Sequence, residues 1–287
     1  MGSQLTTQQD KSKSLSGGVL YIVATPIGNL GDMTFRAVET LKSVSLIACE
    51  DTRVTATLLH HFSIHTPTIS YNDHNGARQR PRIMETLARG ESVALVSDAG
   101  TPLISDPGYK LVGEVRAEGF TVCPIPGASS VITALSAAGL PTDQFHFAGF
   151  LPPKAGARTQ MLGALAPIAG SLVFFESAKR LHATLVDLRA GLGNREATIA
   201  RELTKRFEEF RRGTLEELIA SYDGADVKGE IVIVVAPGQG VTWKQADVDA
   251  LLVEAMRTHS TKEAAAGVAQ TTGLSRSDLY QRALQLK

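Results

Sequence analysis

Short apolar runs that break into small residues, glycine and proline recur along the chain, and the segments between them carry apolar positions at helical spacing. Val19–Ala24 is apolar and β-branched and empties into the loop Thr25–Asp32, after which Phe35, Val38, Leu41 and Val44 mark one face of an amphipathic helix. Leu46–Cys49 predicts a second strand that ends at Glu50-Asp51-Thr52-Arg53, followed by a helix to about His61 and a short strand near Thr68–Tyr71. A helix is expected over Asn75–Ala88, capped at its start by Asn75, kinked or delayed by Pro81 and closed by Gly90. Val93–Ser97 predicts a buried strand that opens into Asp98-Ala99-Gly100-Thr101-Pro102. Pro107 suits the first residue of a helix reaching Glu118, and strand Phe120–Ile125 ends in Pro126-Gly127-Ala128-Ser129-Ser130 before a helix rich in Ala and Val.

The pattern breaks at Gly139–Asp143 and restarts. Strands are expected at Phe145–Phe150, Ser171–Phe175, Ala197–Arg201 and Glu230–Ala236, with helices around Gln160–Leu165, Ala178–Ala190 and Leu215–Ser221. Alternation of this kind predicts two α/β units with mostly parallel, helix-covered sheets. Beyond Pro237–Gly240 the pattern is purely helical. Two helices meet at Gly273-Leu274-Ser275, a helix-turn-helix pattern. The expected division is a disordered tail (1–17, rich in Ser, Thr, Gln and Lys), α/β domains over 18–140 and 141–240, and a helical domain over 241–287.

Composition narrows the class. In 287 residues, 29 Lys and Arg balance 29 Asp and Glu, which argues against a wholesale polyanion binder while leaving room for a local basic face. The two cysteines, Cys49 and Cys123, lie in apolar runs and read as reduced core residues. No apolar run reaches transmembrane length and the first 17 residues lack the apolar core of a signal peptide, so a cytoplasmic protein is expected.

Three strand-end loops share one character: Thr25–Asp32, Ser97–Asp106 and Pro126–Ser130 each offer small residues, Pro and Gly, and a hydroxyl or carboxylate. Ligands of open α/β sheets gather at such loops. Asp98 therefore reads as a ligand contact, whereas Asp106 beside Pro107 reads as a helix start. No loop carries Gly-x-Gly-x-x-Gly after a strand or a phosphate loop, which disfavours dinucleotides and triphosphates. No His or Cys cluster has zinc spacing, so no metal is expected, and no nucleophile elbow is present. A polar group at Glu50, Asp51, Arg53, Tyr71, His74 and Asn75 follows two strands. Basic residues, among them Lys154, Arg201, Lys205 and Arg206, crowd the second unit, where they could grip a phosphate backbone.

The segments Ala24-Thr25-Pro26-Ile27-Gly28-Asn29-Leu30-Gly31-Asp32, Ala48-Cys49-Glu50-Asp51-Thr52-Arg53 and Ser97–Gly108, with Pro126–Ser130, Gly149-Phe150-Leu151-Pro152, Phe175-Glu176-Ser177 and Ala200-Arg201-Glu202-Leu203-Thr204-Lys205, resemble the tetrapyrrole methylase superfamily over about Val19–Ala236. They are most similar to its branch that methylates a cytidine ribose in small-subunit ribosomal RNA. The resemblance implies a two-domain α/β fold with S-adenosylmethionine in an interdomain cleft, commonly as a homodimer. It implies Pro26 in the first cofactor loop, Ser97, Asp98, Ala99 and Thr101 as the cradle, contacts from Ser129 and Ser130, and Glu176 with Ala200 beside the adenosine. Methyl transfer to a ribose 2′-oxygen needs no metal, and Asp51, Glu50 and Glu202 are the expected bases. Arg53, His74, Asn75, Lys154, Arg201 and Lys205 are expected to hold RNA, free or in the assembled small subunit. The helical tail could set Arg276 and Arg282 on RNA phosphate or pack on a partner subunit. Two other readings stay open: a methylase of a tetrapyrrole or of another small or protein acceptor, and a non-catalytic nucleic-acid-binding regulator.

Overall fold

Five of the apolar runs become one parallel sheet: β1 (Val19–Val23), β2 (Leu46–Cys49), β3 (Thr68–Ser70), β4 (Val93–Val96) and β5 (Thr121–Ile125), in the order β3-β2-β4-β1-β5. Side chains alternate across it. Leu20, Leu46, Ala48, Val93 and Leu95 face one layer, with Ile83 and Leu87 of α3 (Gly76–Ala88) and Leu111 and Val115 of α4 (Tyr109–Ala117). Val23, Ile47, Cys49, Ala94 and Val96 face the other, with Ala37 and Leu41 of α1 (Phe35–Ser43) and Leu59 of α2 (Thr52–His61). Helices on both faces explain why β2 and β4 are apolar throughout and fully buried. The register pairs Cys49 with Val96 and Ile22 with Leu95, so β1, β2 and β4 release their loops at one edge. The helix α5 (Ser130–Ala137) follows β5.

This computed structural model describes residues 17–238, 245–272 and 274–287; the expected tail up to residue 16, the connection 239–244 and the turn residue Gly273 lie outside the described residues. Four local expectations change. The helix α4 starts at Tyr109 rather than Pro107, because Gly108 adopts φ +138, which no helix contains. Accordingly, Asp106 caps nothing there. Pro81 lies inside α3 without delaying it, since the helix already begins at Gly76, and its exposed position lets solvent take up the carbonyl it leaves unpaired. Asn75 precedes α3 but does not cap it; its side chain accepts from the Asn72 amide (2.9 Å) and donates to Ser70 Oγ (3.1 Å).

The second sheet contains β6 (Phe145–Phe150), β7 (Ser171–Ser177), β8 (Glu196–Arg201), β9 (Glu209–Thr214) and β10 (Glu230–Val235), ordered β6-β7-β10-β8-β9. Strand β9 was not expected: Glu-Phe-Arg-Arg-Gly-Thr has no apolar run, which suits an edge strand. The helices are α6 (Ala155–Leu165), α7 (Leu181–Leu192) and α8 (Leu215–Tyr222). Contacts group the described residues up to Ala138 with Ile199–Arg211 and Lys228–Ile233 as one unit; Gly139–Thr198, Arg212–Val227 and the residues from Val234 form the other.

Within the second unit, α9 (Gln245–Met256), α10 (Thr261–Thr272) and α11 (Arg276–Gln285) share a small core of Val248, Leu252, Ala265, Val268, Leu279 and Ala283. Arg282 is bound in a two-pronged ion pair to Asp249, at 2.8 and 2.6 Å, which ties α11 to α9. Among the described residues, no helix is long and apolar enough to cross a membrane.

Candidate functional site

Backbone bonds join the strand-end loops of the first unit. Thr25 and Gly100 exchange amide–carbonyl bonds (2.9 and 3.1 Å), and Thr25 Oγ1 donates to the Ser97 carbonyl (3.1 Å). Thr101 Oγ1 donates to the Ala128 carbonyl at 3.2 Å, attaching the third loop. Asp98 Oδ1 accepts from the Asp51 amide at 3.1 Å, attaching the end of β2. Leu103 (φ 75) and Ser105 (φ 65) hold left-handed backbone in the same loop, a conformation that side chains normally avoid.

The loops after β1, β2 and β4, with the start of α2, border a cavity of about 670 Å³, within the usual range for small-molecule sites. Its polar lining includes Thr25, Ser97, Asp98, Asp51 and Arg53, and its apolar lining includes Pro26, Ile27, Leu30, Val54 and Leu58. Lys205 and Glu230 complete the wall, and every lining residue belongs to the first unit. Lys205 Nζ donates to Glu202 (2.9 Å) and Glu230 (3.0 Å), while Glu202 also accepts from the Glu230 amide. Burial pulls the Lys205 ammonium down, but the two carboxylates outweigh it and raise its pKa.

The three expected bases differ in environment. Asp51 caps α2 and chelates Arg53 through both oxygens, and the Arg53 guanidinium lowers its pKa to about 2. Glu202 is held below the usual carboxylate range by its bond to Lys205. Glu50 is pushed up, first by burial and then by the neighbouring carboxylates of Asp98, Asp106, Asp73 and Asp51. Burial likewise raises Asp106.

Of the expected cofactor residues, Pro26, Ser97, Asp98 and Ala99 meet on the cavity wall. Thr101, Ser129, Ser130 and Ala200 belong to the same unit but do not line it, and Glu176 lies in the second unit. There the Glu176 carboxylate is buried, accepting from Thr184 Oγ1 (2.6 Å) and the Ser177 amide (2.7 Å) beside Arg180. Of the expected RNA contacts, Arg53 and Lys205 reach the cavity. Arg201 is clamped by Glu209 (2.9 and 3.0 Å), His74 and Asn75 precede α3, and Lys154 precedes α6 in the second unit. Sequence reasoning passed over Val54, Thr57 and Leu58, a helical stripe on α2 that periodicity could have revealed, and Glu230, which no local pattern marks. No group of three or more His, Cys, Asp or Glu among the described residues could hold a metal ion.

The first unit thus carries a parallel sheet with a cavity at its strand ends, and the chain also holds a second sheet and a helical tail. Residues 19–219 match the family model of Tetrapyrrole (Corrin/Porphyrin) Methylases, and residues 244–287 match the RsmI C-terminal HTH domain. The chain belongs to the tetrapyrrole methylase family. It is 49% identical to the Ribosomal RNA small subunit methyltransferase I of Mesorhizobium japonicum, covering 93% of this chain and 92% of that protein. The protein of the same name from Halalkalibacterium halodurans is 46% identical, over 96% and 98% of the two chains. Among solved structures, a cobalt precorrin-4 methyltransferase matches with TM-score 0.59 at 16% identity over 76% of this chain and 94% of that one. The uroporphyrin-III C-methyltransferase of Thermus thermophilus complexed with S-adenyl homocysteine matches with TM-score 0.54 at 19% identity, over 77% and 97%. At these identities the likeness to the solved structures is one of fold.

Proposed function

We propose that the protein transfers a methyl group from S-adenosylmethionine to the ribose 2′-hydroxyl of a cytidine in small-subunit ribosomal RNA. The observation that carries this reading is the nearly full-length likeness to proteins named small-subunit ribosomal RNA methyltransferases, helical tail included. The cavity fits the donor: it has the volume of a nucleoside-sized ligand, an apolar wall and the acceptor Asp98 at its polar end. Close packing of Gly28 against Lys205 brings loop backbone to the rim. Pro26, Ser97, Asp98 and Ala99 would hold the donor, which supplies an electrophilic methyl group on a positively charged sulfur.

The chain's own part is positioning, which can contribute on the order of 7–11 kcal/mol to such a displacement. Asp98 sets negative charge near the cationic ligand, and the Asp51 amide fixes its orientation. Asp51 and Glu50, adjacent at the end of β2, are the proton acceptors in this reading: Asp51 lines the cavity and also aims Arg53, and burial raises the Glu50 carboxyl. The protein works on RNA in the cytoplasm as a homodimer, without a metal. The test is labelled-methyl transfer to small ribosomal subunits, and to free RNA, from cells lacking this gene, followed by mapping of the labelled nucleotide. Incorporation at a cytidine 2′-oxygen is expected; no incorporation into RNA overturns the reading.

A further inference from the structure

The turn between β8 and β9 presents an aromatic ring to solvent beside the cavity wall. Phe207 is 64% exposed, and the Arg206 guanidinium lies 5.5 Å from its ring centroid. The turn that carries them is rigidly built. Glu202 (φ 51) and Thr204 (φ 65) hold left-handed backbone without being glycine, and the Lys205 amide donates to the Glu202 carbonyl at 3.0 Å. The Glu208 amide donates to the Lys205 carbonyl (3.1 Å), and the Glu208 carboxylate accepts from the Thr204 amide (2.6 Å). A single exposed phenylalanine needs no explanation by itself. This one stands two residues after Lys205, which lines the cavity, so the backbone keeps the two within about 7 Å.

Charge in the neighbourhood is sorted in the same direction. Arg201 and Arg211 are both taken up by Glu209, and Lys205 by Glu202 and Glu230. Arg206 faces the ring instead. A cation and an aromatic plane on a stiff turn form a surface that fits a nucleobase and its phosphate, since single-stranded RNA is recognised largely by stacking on aromatic and guanidinium planes. An enzyme acting on a nucleotide within a folded strand has to hold that strand open, which such a surface does for a neighbouring base.

We propose that Arg206 and Phe207 form a stacking platform for an RNA base adjoining the methylated nucleotide, a positioning element that rests on the function proposed above. The test compares wild type, Phe207→Ala and Phe207→Tyr in methyl transfer to small subunits from cells lacking this gene, with S-adenosylhomocysteine binding by calorimetry and sedimentation of each protein. Phe207→Ala is expected to lower kcat/KM for the subunit roughly 5- to 150-fold, mainly through KM, as loss of one stacked base does. Cofactor-product affinity and sedimentation stay unchanged, and Phe207→Tyr restores activity. Wild-type rates for Phe207→Ala overturn the platform while leaving the reaction in place. A shift in sedimentation assigns Phe207 to a protein partner and overturns it equally. Absence of transfer by the wild type removes the reaction itself and the platform with it.

Discussion

Lys205 closes over Gly28 so tightly that a methyl group on that glycine would stand 2.5 Å from the lysine's Cγ and 3.2 Å from the Leu203 carbonyl oxygen. The lysine has little freedom to retreat, because Glu202 and Glu230 hold its ammonium. The loop after β1 and the turn after β8 are therefore fitted to each other through a residue without a side chain.

Gly28→Ala is expected to destabilise the protein by about 1–3 kcal/mol, through the clash and through φ +153. It should also weaken S-adenosylhomocysteine binding, because any relief moves a wall of the cavity. Urea unfolding and calorimetry read the two effects. Wild-type values in both would mean that the lysine moves aside freely.

Glu50→Gln separates stability from catalysis. A carboxyl with a raised folded-state pKa contributes stability that is complete at low pH and is lost as pH rises through that pKa. The amide variant should then melt at or above wild type at pH 7.5, with the gap closing below about pH 4. Methyl transfer should fall by about 10²–10⁴-fold if Glu50 takes the proton. An unchanged single-turnover rate would remove it from that role.

Acid sensitivity should trace to Asp51 and Asp249. Each has its folded-state pKa lowered to about 2, by Arg53 and Arg282 respectively. Depressed carboxylates contribute stability above the unfolded value and lose it as pH falls, so the window runs from about pH 4 to about pH 2. Asp249→Asn should flatten the stability–pH curve there, followed by circular dichroism during acid titration.

Pro81→Ala should raise the melting temperature. The proline sits in an exposed helical interior without an amide to donate, a placement that costs up to about 3 kcal/mol relative to alanine. Differential scanning calorimetry decides it; a lower melting temperature would show that the fixed φ of Pro81 stabilises α3.

The strands were legible where short apolar or aromatic runs break into loops of polar and small residues. Leu46–Cys49 and Phe145–Phe150 form strands over the same residues that the pattern marks. Strand β9 was not, because an edge strand can be charged and still find its partners. Gly108 hid the true start of α4, since a glycine's backbone angle is invisible in its letter. The same division holds at the cavity. Residues on strand-end loops, such as Pro26, Ser97 and Asp98, are marked by local composition. The join of Lys205 to Gly28 and Glu230 brings together residues far apart in the chain, and no window of sequence contains it.

That join has a consequence for synthesis. The strands of the first sheet are complete once Ile125 has been made, yet the cavity wall awaits Lys205 and its anchor Glu230, about ninety residues beyond Ala138. At ribosomal speeds the interval is roughly 5–20 s. During it the nascent chain carries its strand-end loops beside an unfinished wall, and only the last strand of the second sheet closes the cavity.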